Sequence, residues 1–266
     1  MKKIIKTILN HFDFDIQRVS CLEKSNDPIN VLELLFTRMG LKTIIDGGAS
    51  IGTISKRFSE SFPTAKIHAF EPYQPHFDVL QEITSIYKHI IPLNKGLCDM
   101  NGKCSFFLNQ ESGTNSTLRA NKKGQNIYGD QLKEIGQTEI ECISLDSYLQ
   151  QNNIDSVDVL KLDLQGGEVD ALKGAANSLA SGKIKCILIE VMFENHYIDQ
   201  PSAGRLLHDL IEEYGFSLFN LFDLHHHCGR LIYADAIFIL PETLDSVKKR
   251  LPNLFHQYSK LLIDLK

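Results

Sequence analysis

The chain has 266 residues, and its 28 Lys and Arg against 33 Asp and Glu leave a formal net charge of −5. A protein that holds nucleic acid by its phosphates needs a clear cationic excess, so this balance argues against a nucleic-acid partner. The hydrophobic fraction of 43% excludes intrinsic disorder, and no apolar run approaches the roughly 18 to 20 residues that span a bilayer.

Short apolar runs alternate with amphipathic stretches through most of the chain, which is typical of a mostly parallel sheet with helices on both faces. We predict seven strands for this sheet, at residues 43–46, 66–71, 90–93, 157–163, 186–191, 216–222 and 234–240. Helices are predicted between them, at residues 51–61, 76–87, 168–179 and 202–214. The fold class is therefore α/β, with one central domain at residues 42–241.

Two segments, 1–41 and 242–266, flank this domain and are predicted to be helical extensions. In the first, Asp27 precedes Pro28, the order of a helix cap and a first helical residue. The apolar stretch at the start of the chain is too short for a secretory signal. Six cysteines without a CxxC pair are predicted to be reduced thiols of a cytoplasmic protein, with neither a zinc site nor a disulfide framework: Cys21, Cys98, Cys104, Cys142, Cys186 and Cys228.

A long polar stretch, residues 109–136, separates two β-like segments at 102–108 and 138–143. It is too long for a plain connection, so we expect it to serve the function or to move. Ser112 and Thr114 lie in its hydroxyl-rich part, and loops of this kind either bind polar acceptors or close over a site. We predict that both residues contact the substrate, with a solvated loop as the alternative.

The segment DGGASIG, residues 46–52, lies between a predicted strand and a predicted helix, where open α/β sheets bind nucleotides. One spacing, Gly47-x-Ala49-x-x-Gly52, is close to the dinucleotide fingerprint, whereas a second spacing places Asp46 at the strand end. That carboxylate would repel a pyrophosphate by on the order of several kcal/mol at low effective dielectric. S-adenosylmethionine has no phosphate and carries two positive groups, so the acid favours it over NAD. A purely structural glycine turn is the third interpretation.

Glu71 ends the second predicted strand, at the place where an acidic side chain commonly accepts hydrogen bonds from both ribose hydroxyls. NAD enzymes use the same arrangement, so this residue indicates adenosine binding without distinguishing the cofactor. The third strand is followed by residues 94–99, which could flank an adenine.

Six segments occur in the order seen in FkbM-type methyltransferases, which the chain resembles over residues 43–240: IDGGASIG (45–52), AFEP (69–72), NKGLCD (94–99), LDSY (145–148), LKLDLQGGE (160–168) and ADAIF (234–238). The resemblance implies a class I (Rossmann-like) methyltransferase sheet and S-adenosylmethionine as methyl donor. It also implies a hydroxyl acceptor on a glycan or secondary metabolite. Ser50, Gln165 and Gly167 depart from the family pattern, and the last two lie on the acceptor side, which leaves the substrate open.

Methyl transfer to an alcohol requires alignment of the acceptor and removal of its proton. Asp163 and Glu190 end the fourth and fifth strands and are our candidate catalytic residues, Asp163 for positioning and Glu190 as base or acceptor contact. Glu168 and His196 are further candidate acceptor contacts. Cofactor-binding residues are predicted to be Asp46, Gly47, Gly48, Ala49, Ser50, Gly52, Glu71, Pro72, Gly96 and Cys98.

Two alternatives concern metals. Catechol-type methyltransferases place magnesium ligands at the ends of the same two strands, but Val191 follows Glu190 where a third oxygen ligand is expected, so we favour a metal-free mechanism. The tract 225–227, three consecutive histidines, is interpreted as a polar loop rather than a metal site.

The predicted function is therefore an S-adenosylmethionine-dependent O-methyltransferase that acts on a small-molecule or glycan acceptor. The alternatives are an NAD-dependent oxidoreductase and a non-catalytic adenosine-binding module. We expect no nucleic-acid partner and no membrane span, and the sequence allows a homo-oligomer.

Overall fold

A computed structural model describes residues 26–36 and 39–251, and its strands form two sheets. The strands are β1 (Thr43–Gly47), β2 (Lys66–Phe70), β3 (Ile90–Leu93), β4 (Gly96–Leu97), β5 (Gly102–Asn109), β6 (Glu134–Ile143), β7 (Val159–Leu162), β8 (Cys186–Met192), β9 (Ser217–His227) and β10 (Arg230–Ile239). The helices are α1 (Pro28–Phe36), α2 (Thr53–Ser61), α3 (Gln74–Thr84), α4 (Lys122–Tyr128), α5 (Leu145–Gln151), α6 (Glu168–Lys173), α7 (Ala176–Ala180), α8 (Ala203–His208) and α9 (Pro241–Arg250).

The larger sheet has seven strands in the order β3-β2-β1-β7-β8-β10-β9. Its first five strands are parallel, and β10 runs antiparallel to both β8 and β9. The chain leaves β1 toward β2 on one side, whereas β7 leads to β8 on the other. A cleft therefore opens at the carboxyl ends of β1 and β7, where such sheets bind ligands. The predicted seven-stranded, mostly parallel sheet with helices is confirmed.

The central strands are buried on both faces, which explains their nearly continuous apolar sequences. Alternation along β1 places Ile44 in one core cluster and Ile45 in the other, and Val159 and Leu160 divide in the same way along β7. Residues of α5 to α8 fill the first core, and residues of α1, α2, α3 and α9 fill the second. This packing on both faces holds the carboxyl ends of β1 and β7 in place.

The smaller sheet has the order β4-β6-β5, with β5 antiparallel and β4 parallel to β6. It includes the two predicted β-like segments, which are longer than expected. The polar stretch between them is ordered into a 3-10 turn (Ser112–Thr114), helix α4 and a second 3-10 turn (Gly129–Leu132). Ser116 pairs with Phe107 of β5 in an isolated bridge. The polar stretch therefore folds back onto the small sheet.

The predicted helix at 168–179 is interrupted, and α6 and α7 replace it. A side chain on Gly174, between the two helices, would place its Cβ atom 2.0 Å from the Cys98 carbonyl oxygen. The helix therefore breaks where the main chain passes against the segment that follows β4. This tertiary contact has no local signature in the sequence.

The interpretation of the histidine tract 225–227 as a loop is wrong. These residues belong to β9, and His225 pairs with Tyr233 of β10. Their rings stack with centroids 4.1 Å apart. The turn is displaced to Cys228 and Gly229, which have φ values of +50° and +76°, as a two-residue hairpin turn requires.

Helix α1 begins at Pro28 as predicted, and the Asp27 carboxylate accepts a hydrogen bond from the Ile29 amide at 2.9 Å. The flanking predictions at residues 1–25 and 252–266, including Cys21, lie outside the described residues, as do residues 37 and 38. Within the described ranges, no helix has the length and apolar content needed to cross a bilayer.

Candidate active site

The turn after β1 reverses the main chain above the sheet by using left-handed conformations. Gly48, Ser50 and Gly52 have φ values of +73°, +49° and +85°. A Cβ atom on Gly48 would lie 1.9 Å from the carbonyl oxygen of Asp163, so the turn passes directly against the end of β7. Only glycine permits that approach, and it leaves open space above the strand ends.

Asp46, at the end of β1, is fully buried and has partners within the protein. Its Oδ2 accepts a 2.6 Å hydrogen bond from the Ser55 hydroxyl, and its Oδ1 lies 3.3 Å from Nζ of Lys161. Lys161 also donates to the carbonyl of Gly48 at 2.9 Å. Burial opposes the charge on Lys161, but Asp46 and Asp163 raise its pKa above the ordinary value.

Lys161 changes the electrostatic argument that the sequence suggested for Asp46. The carboxylate faces a buried ammonium, so its charge is largely compensated inside the protein. Its geometry is that of a support for the glycine turn. Direct contact between Asp46 and a cofactor stays a prediction.

Glu71 follows β2 and holds its carboxylate at the cleft through main-chain amides. Its Oε2 accepts from the Ser50 amide at 2.8 Å, and its Oε1 accepts from the Tyr73 amide at 2.7 Å. Burial raises the pKa of Glu71 to about 7, although these two hydrogen bonds oppose the shift. The carboxylate is thus oriented in advance, and each oxygen keeps a further acceptor position.

The cleft above these groups, here called the donor cleft, encloses about 690 Å³, including the space at its mouth. The predicted cofactor residues that line it are Gly48, Ser50, Glu71, Pro72, Gly96 and Cys98. Ser112, a predicted substrate contact, and Asp163, a predicted catalytic residue, also line it. Its apolar wall is formed by Phe70, Leu97, Phe106 and Ile140. Gly47 and Gly52 pack beneath, where a Cβ atom would meet side chains at 2.9 Å and 2.8 Å. The combination of apolar walls with a fixed carboxylate suits a nucleoside.

His76 joins the glycine turn to the polar stretch that covers the donor cleft. Its Nδ1 lies 3.2 Å from the Ser50 hydroxyl, and its Nε2 lies 2.9 Å from the Ser112 hydroxyl. Burial lowers the pKa of His76. The sequence pattern placed His76 only at the start of a helix, so this link was missed. Thr114 instead donates to the carbonyl of Glu111 at 2.7 Å, within the polar stretch itself.

Asp163 and Glu190 come together at the rim of the sheet, linked by Gln165. The Gln165 amide donates to Asp163 Oδ1 at 2.9 Å and to Glu190 Oε2 at 3.3 Å. Tyr197 donates its hydroxyl to Oε1 of Gln165 at 3.0 Å. Gln165, one of the residues that depart from the family pattern, therefore connects the two candidate carboxylates.

The sequence matches the Methyltransferase FkbM domain over residues 46–218. The chain belongs to the FkbM methyltransferase family. It therefore contains a methyltransferase domain, for which S-adenosylmethionine is the cofactor, as the resemblance implied. This membership decides against the NAD-dependent oxidoreductase.

Two curated relatives and one solved structure are similar to this chain. Hexuronic acid methyltransferase AglP of Haloferax volcanii is 29% identical over 147 residues, which cover 55% of this chain and 54% of AglP. 2-O-methyltransferase NoeI of Sinorhizobium fredii is 24% identical over 204 residues, covering 74% and 76%. The crystal structure of Aeropyrum pernix fibrillarin with natively bound S-adenosyl-L-methionine aligns at 11% identity with a TM-score of 0.44, covering 75% and 66%. The chain spans just over half the length of several curated relatives.

The environment of Glu190 in this FkbM methyltransferase is strongly acidic. Burial raises the pKa of Glu190 well above its ordinary value, and Asp163, Glu168 and Asp235 raise it further, while Lys161 opposes the shift. Asp235 pairs with Glu190 across β10 and β8, and burial raises its own pKa to about 6. An ionised Glu190 is therefore a stronger base than an ordinary carboxylate.

Glu168, a predicted acceptor contact, is buried under its own loop. Its Oε1 accepts from the amides of Leu164 at 2.7 Å and Gly166 at 3.3 Å. Burial raises the pKa of Glu168 to about 7. The carboxylate holds the loop that leads from β7 into α6, and this placement does not favour direct contact with an acceptor.

A second cavity of about 560 Å³, here called the tyrosine cavity, meets the donor cleft at Gly113 and Gln165. Its walls include Thr114, Tyr128, Glu190, Met192, His196, Tyr197 and Tyr233. His196 is buried, which lowers its pKa to about 4, and its Nε2 has no hydrogen-bond partner among the described residues. The sequence reasoning missed the three tyrosines because α4, β10 and the segment after β8 share no motif.

The described part of the chain contains two groups of side chains close enough to share a metal ion, and neither includes Asp163 or Glu190. One is the helical set of His208, Asp209 and Glu213, of which Asp209 is buried, and the other is formed by three cysteines beside the donor cleft. Metal-free transfer remains a prediction.

Proposed function

We propose that this enzyme methylates a hydroxyl oxygen of a sugar or a similarly hydroxylated small molecule, which binds in the tyrosine cavity. The observation that carries the proposal is the position of Glu190, which lines that cavity and is linked through Gln165 to the donor cleft. A proton acceptor thus lies in the tyrosine cavity, one hydrogen bond away from Gln165, which lines both compartments.

The chemistry of the tyrosine cavity supports a sugar-like acceptor. Aromatic rings offer flat apolar surfaces for the faces of a sugar, and the Glu190 carboxylate and the His196 ring offer hydrogen-bond partners for its hydroxyls. The unpartnered Nε2 of His196 is available to a sugar hydroxyl in either tautomer of the neutral ring, as an acceptor or as a donor. The names of two relatives, a hexuronic acid methyltransferase and a 2-O-methyltransferase, point to the same acceptor class.

The residues of the donor cleft fit the methyl donor. Gly48 lets the turn pass against the end of β7 and lines the cleft without a side chain, and Glu71 keeps free acceptor positions for two ribose hydroxyls. The cofactor, when bound, supplies an electrophilic methyl carbon on a positively charged sulfur.

Three side chains would then act on the acceptor. Glu190 would take the proton of the acceptor hydroxyl, and the bound cofactor would supply the methyl group to that oxygen. Gln165 holds Glu190 and Asp163 at a fixed separation, and Tyr197 fixes the orientation of Gln165. Asp163, whose side chain is 43% exposed, positions the reacting groups from the rim.

Substitution of the base tests the proposal. Glu190→Gln keeps the shape and removes the proton acceptor, so turnover should fall by about 100-fold or more, the usual contribution of a general base. The assay follows S-adenosylhomocysteine release with a panel of uronic acid glycosides and neutral oligosaccharides, and NMR locates the new methyl group. Glu242→Gln on the exposed start of α9 is the matched control and should retain full activity.

Two results would contradict the proposal. Turnover of Glu190→Gln at the wild-type rate with an accepted substrate would remove Glu190 from the proton transfer. Methylation of nitrogen or carbon atoms alone, across acceptors that carry free hydroxyls, would overturn the assignment of the acceptor. Binding of S-adenosylhomocysteine by both variants shows that the donor cleft is intact in each case.

A further inference from the structure

Three cysteines that are far apart in the sequence converge beside the donor cleft. The Sγ atom of Cys142 lies 3.0 Å from that of Cys98 and 2.7 Å from that of Cys104. Cys142 is buried, whereas Cys98 and Cys104 are half-buried, so a small solute can reach the cluster. The sequence predicts no zinc site here, because no CxxC pair is present.

The register of the small sheet explains the convergence. Cys142 on β6 pairs with Gly102 on one side and Gly96 on the other. Cys104 and Cys98 each lie two residues beyond those glycines, so all three side chains share one face of the sheet. The glycines add no side chain to that face, which lets the three sulfur atoms meet.

The strand pairing disfavours a disulfide between these residues. Cys104 pairs with Ile140 and Cys142 with Gly102, so the two cysteines are diagonal neighbours on β5 and β6. Diagonal Cα atoms are about 7 to 8 Å apart in antiparallel sheets, beyond the range of about 4.4 to 6.8 Å that disulfides span. Cys98 is likewise diagonal to Cys142 across β4 and β6.

We propose that Cys98, Cys104 and Cys142 form a three-thiolate site for a soft, thiophilic metal cation such as Zn²⁺ or Cu⁺. Thiolates select these ions over harder cations. Around an ion with bonds of about 2.3 Å, tetrahedral sulfur ligands are about 3.8 Å apart. The sulfur atoms must therefore separate by about 1 Å, and the half-buried Cys98 and Cys104 have room to do so.

Binding of the ion displaces the protons of the three thiols, because only the deprotonated sulfur is a ligand. The neighbouring Glu139 and Glu141 alternate onto the opposite face of β6 and compete little for the ion.

Metal titration of the reduced full-length chain tests the site. All proteins carry Cys21→Ser, so that the thiol count concerns the described residues. Zn²⁺ alone and Cu⁺ alone, the latter under anaerobic conditions, are titrated against a chromophoric chelator. We expect the protein to bind one equivalent of metal in the Zn²⁺ titration, the Cu⁺ titration or both. Binding should release protons and protect about three thiols from alkylation.

Two variants and a control isolate the cluster. Cys104→Ser, at a half-buried position, should weaken binding by at least about 100-fold, since even the loss of an outer partner of a metal ligand costs 10- to 100-fold. Cys142→Ala should do the same, and circular dichroism shows whether it folds. Cys228→Ser, at an exposed cysteine of the β9–β10 turn, should bind like the parent.

The outcomes separate cleanly. Binding that depends on Cys104 and Cys142 but not on Cys228 supports the site, and the arm that binds identifies the ion. Failure of both ions to bind the reduced parent would overturn the proposal, as would equal binding by Cys104→Ser and Cys228→Ser. A disulfide within the cluster that persists under reducing conditions would overturn it too. None of these outcomes depends on the methyl acceptor.

Discussion

The donor cleft and the tyrosine cavity meet at Gln165, yet they are built from different parts of the chain. The main chain shapes most of the donor cleft. Left-handed residues turn the chain at Gly48 and Ser50, and main-chain amides hold the Glu71 carboxylate. In the tyrosine cavity, side chains from three separate elements supply the surface.

This difference determines which substitutions each region tolerates. A surface made by the main chain follows from the fold, so it keeps its shape as long as no extra volume enters. A surface made by side chains changes its chemistry with each substitution while the fold stays the same. One cofactor can therefore be retained while the acceptor changes, which agrees with relatives whose names describe different acceptors.

The largest effect is expected where the turn at Gly48 passes against the end of β7. Gly48→Ala places a Cβ atom 1.9 Å from the Asp163 carbonyl in a left-handed conformation, so β1 and β7 must move apart at the cleft. We expect a loss on the order of 3 kcal/mol in the free energy of unfolding and no detectable binding of S-adenosylhomocysteine. Urea unfolding and calorimetry measure the two quantities.

Gly136→Ala on β6 is the matched control for that substitution. Nothing lies within 4 Å of the position of its Cβ atom, so stability and binding should stay close to those of the parent. Equal urea midpoints for the Gly48 and Gly136 variants would show that the contact between Gly48 and the Asp163 carbonyl is less tight than the geometry indicates.

An intermediate effect is expected for Glu71→Ala. Loss of a charged acceptor for ribose hydroxyls should weaken S-adenosylhomocysteine binding by about 1.5 to 3 kcal/mol. Because the pKa of Glu71 is raised to about 7, the carboxylate ionises as pH rises through neutrality. Binding by the parent should therefore strengthen between about pH 6 and pH 8, and calorimetry across that range measures it.

The variant should lose this pH dependence together with its affinity. Glu82→Ala, on the exposed side of α3, is the control and should keep both. If Glu71→Ala binds as tightly as the parent at pH 8, the ribose assignment is wrong.

The same contrast explains how far the sequence could predict the molecule. Strands β1, β2, β3, β7 and β8 follow from local apolar runs, and the glycine turn and Glu71 each lie directly at a strand end. Lys161 was missed as the partner of Asp46 because 115 positions separate them and only the pairing of β1 with β7 brings them together.

Residues that meet only through tertiary packing have no signal of that kind. The three tyrosines of the tyrosine cavity come from unrelated elements, and the break at Gly174 depends on contact with Cys98. The cysteine cluster is a middle case, since alternation along each strand puts Cys104 and Cys142 on defined faces. Its recognition still requires the register of β5 and β6, which the long polar stretch separates in the sequence.

The smallest effect is expected at Tyr197, which lines the tyrosine cavity and whose hydroxyl holds Gln165. Tyr197→Phe removes the hydroxyl that holds Oε1 of Gln165, a neutral hydrogen bond of about 0.5 to 1.5 kcal/mol. We expect kcat to fall by about twofold to tenfold, because Gln165 then aligns Glu190 less well. Binding of S-adenosylhomocysteine should not change, since the ring still fills its place.

Tyr87→Phe provides the control, because it removes an exposed hydroxyl bonded to Glu60 and should leave kcat unchanged. Kinetics with a saturating acceptor separates kcat from KM, and calorimetry reports donor affinity. A loss of donor affinity in Tyr197→Phe without a change in kcat would show that Gln165 serves the donor cleft instead. The two regions would then form one continuous site. A change in the acceptor region would alter donor affinity through Gln165, the residue at which the two regions meet.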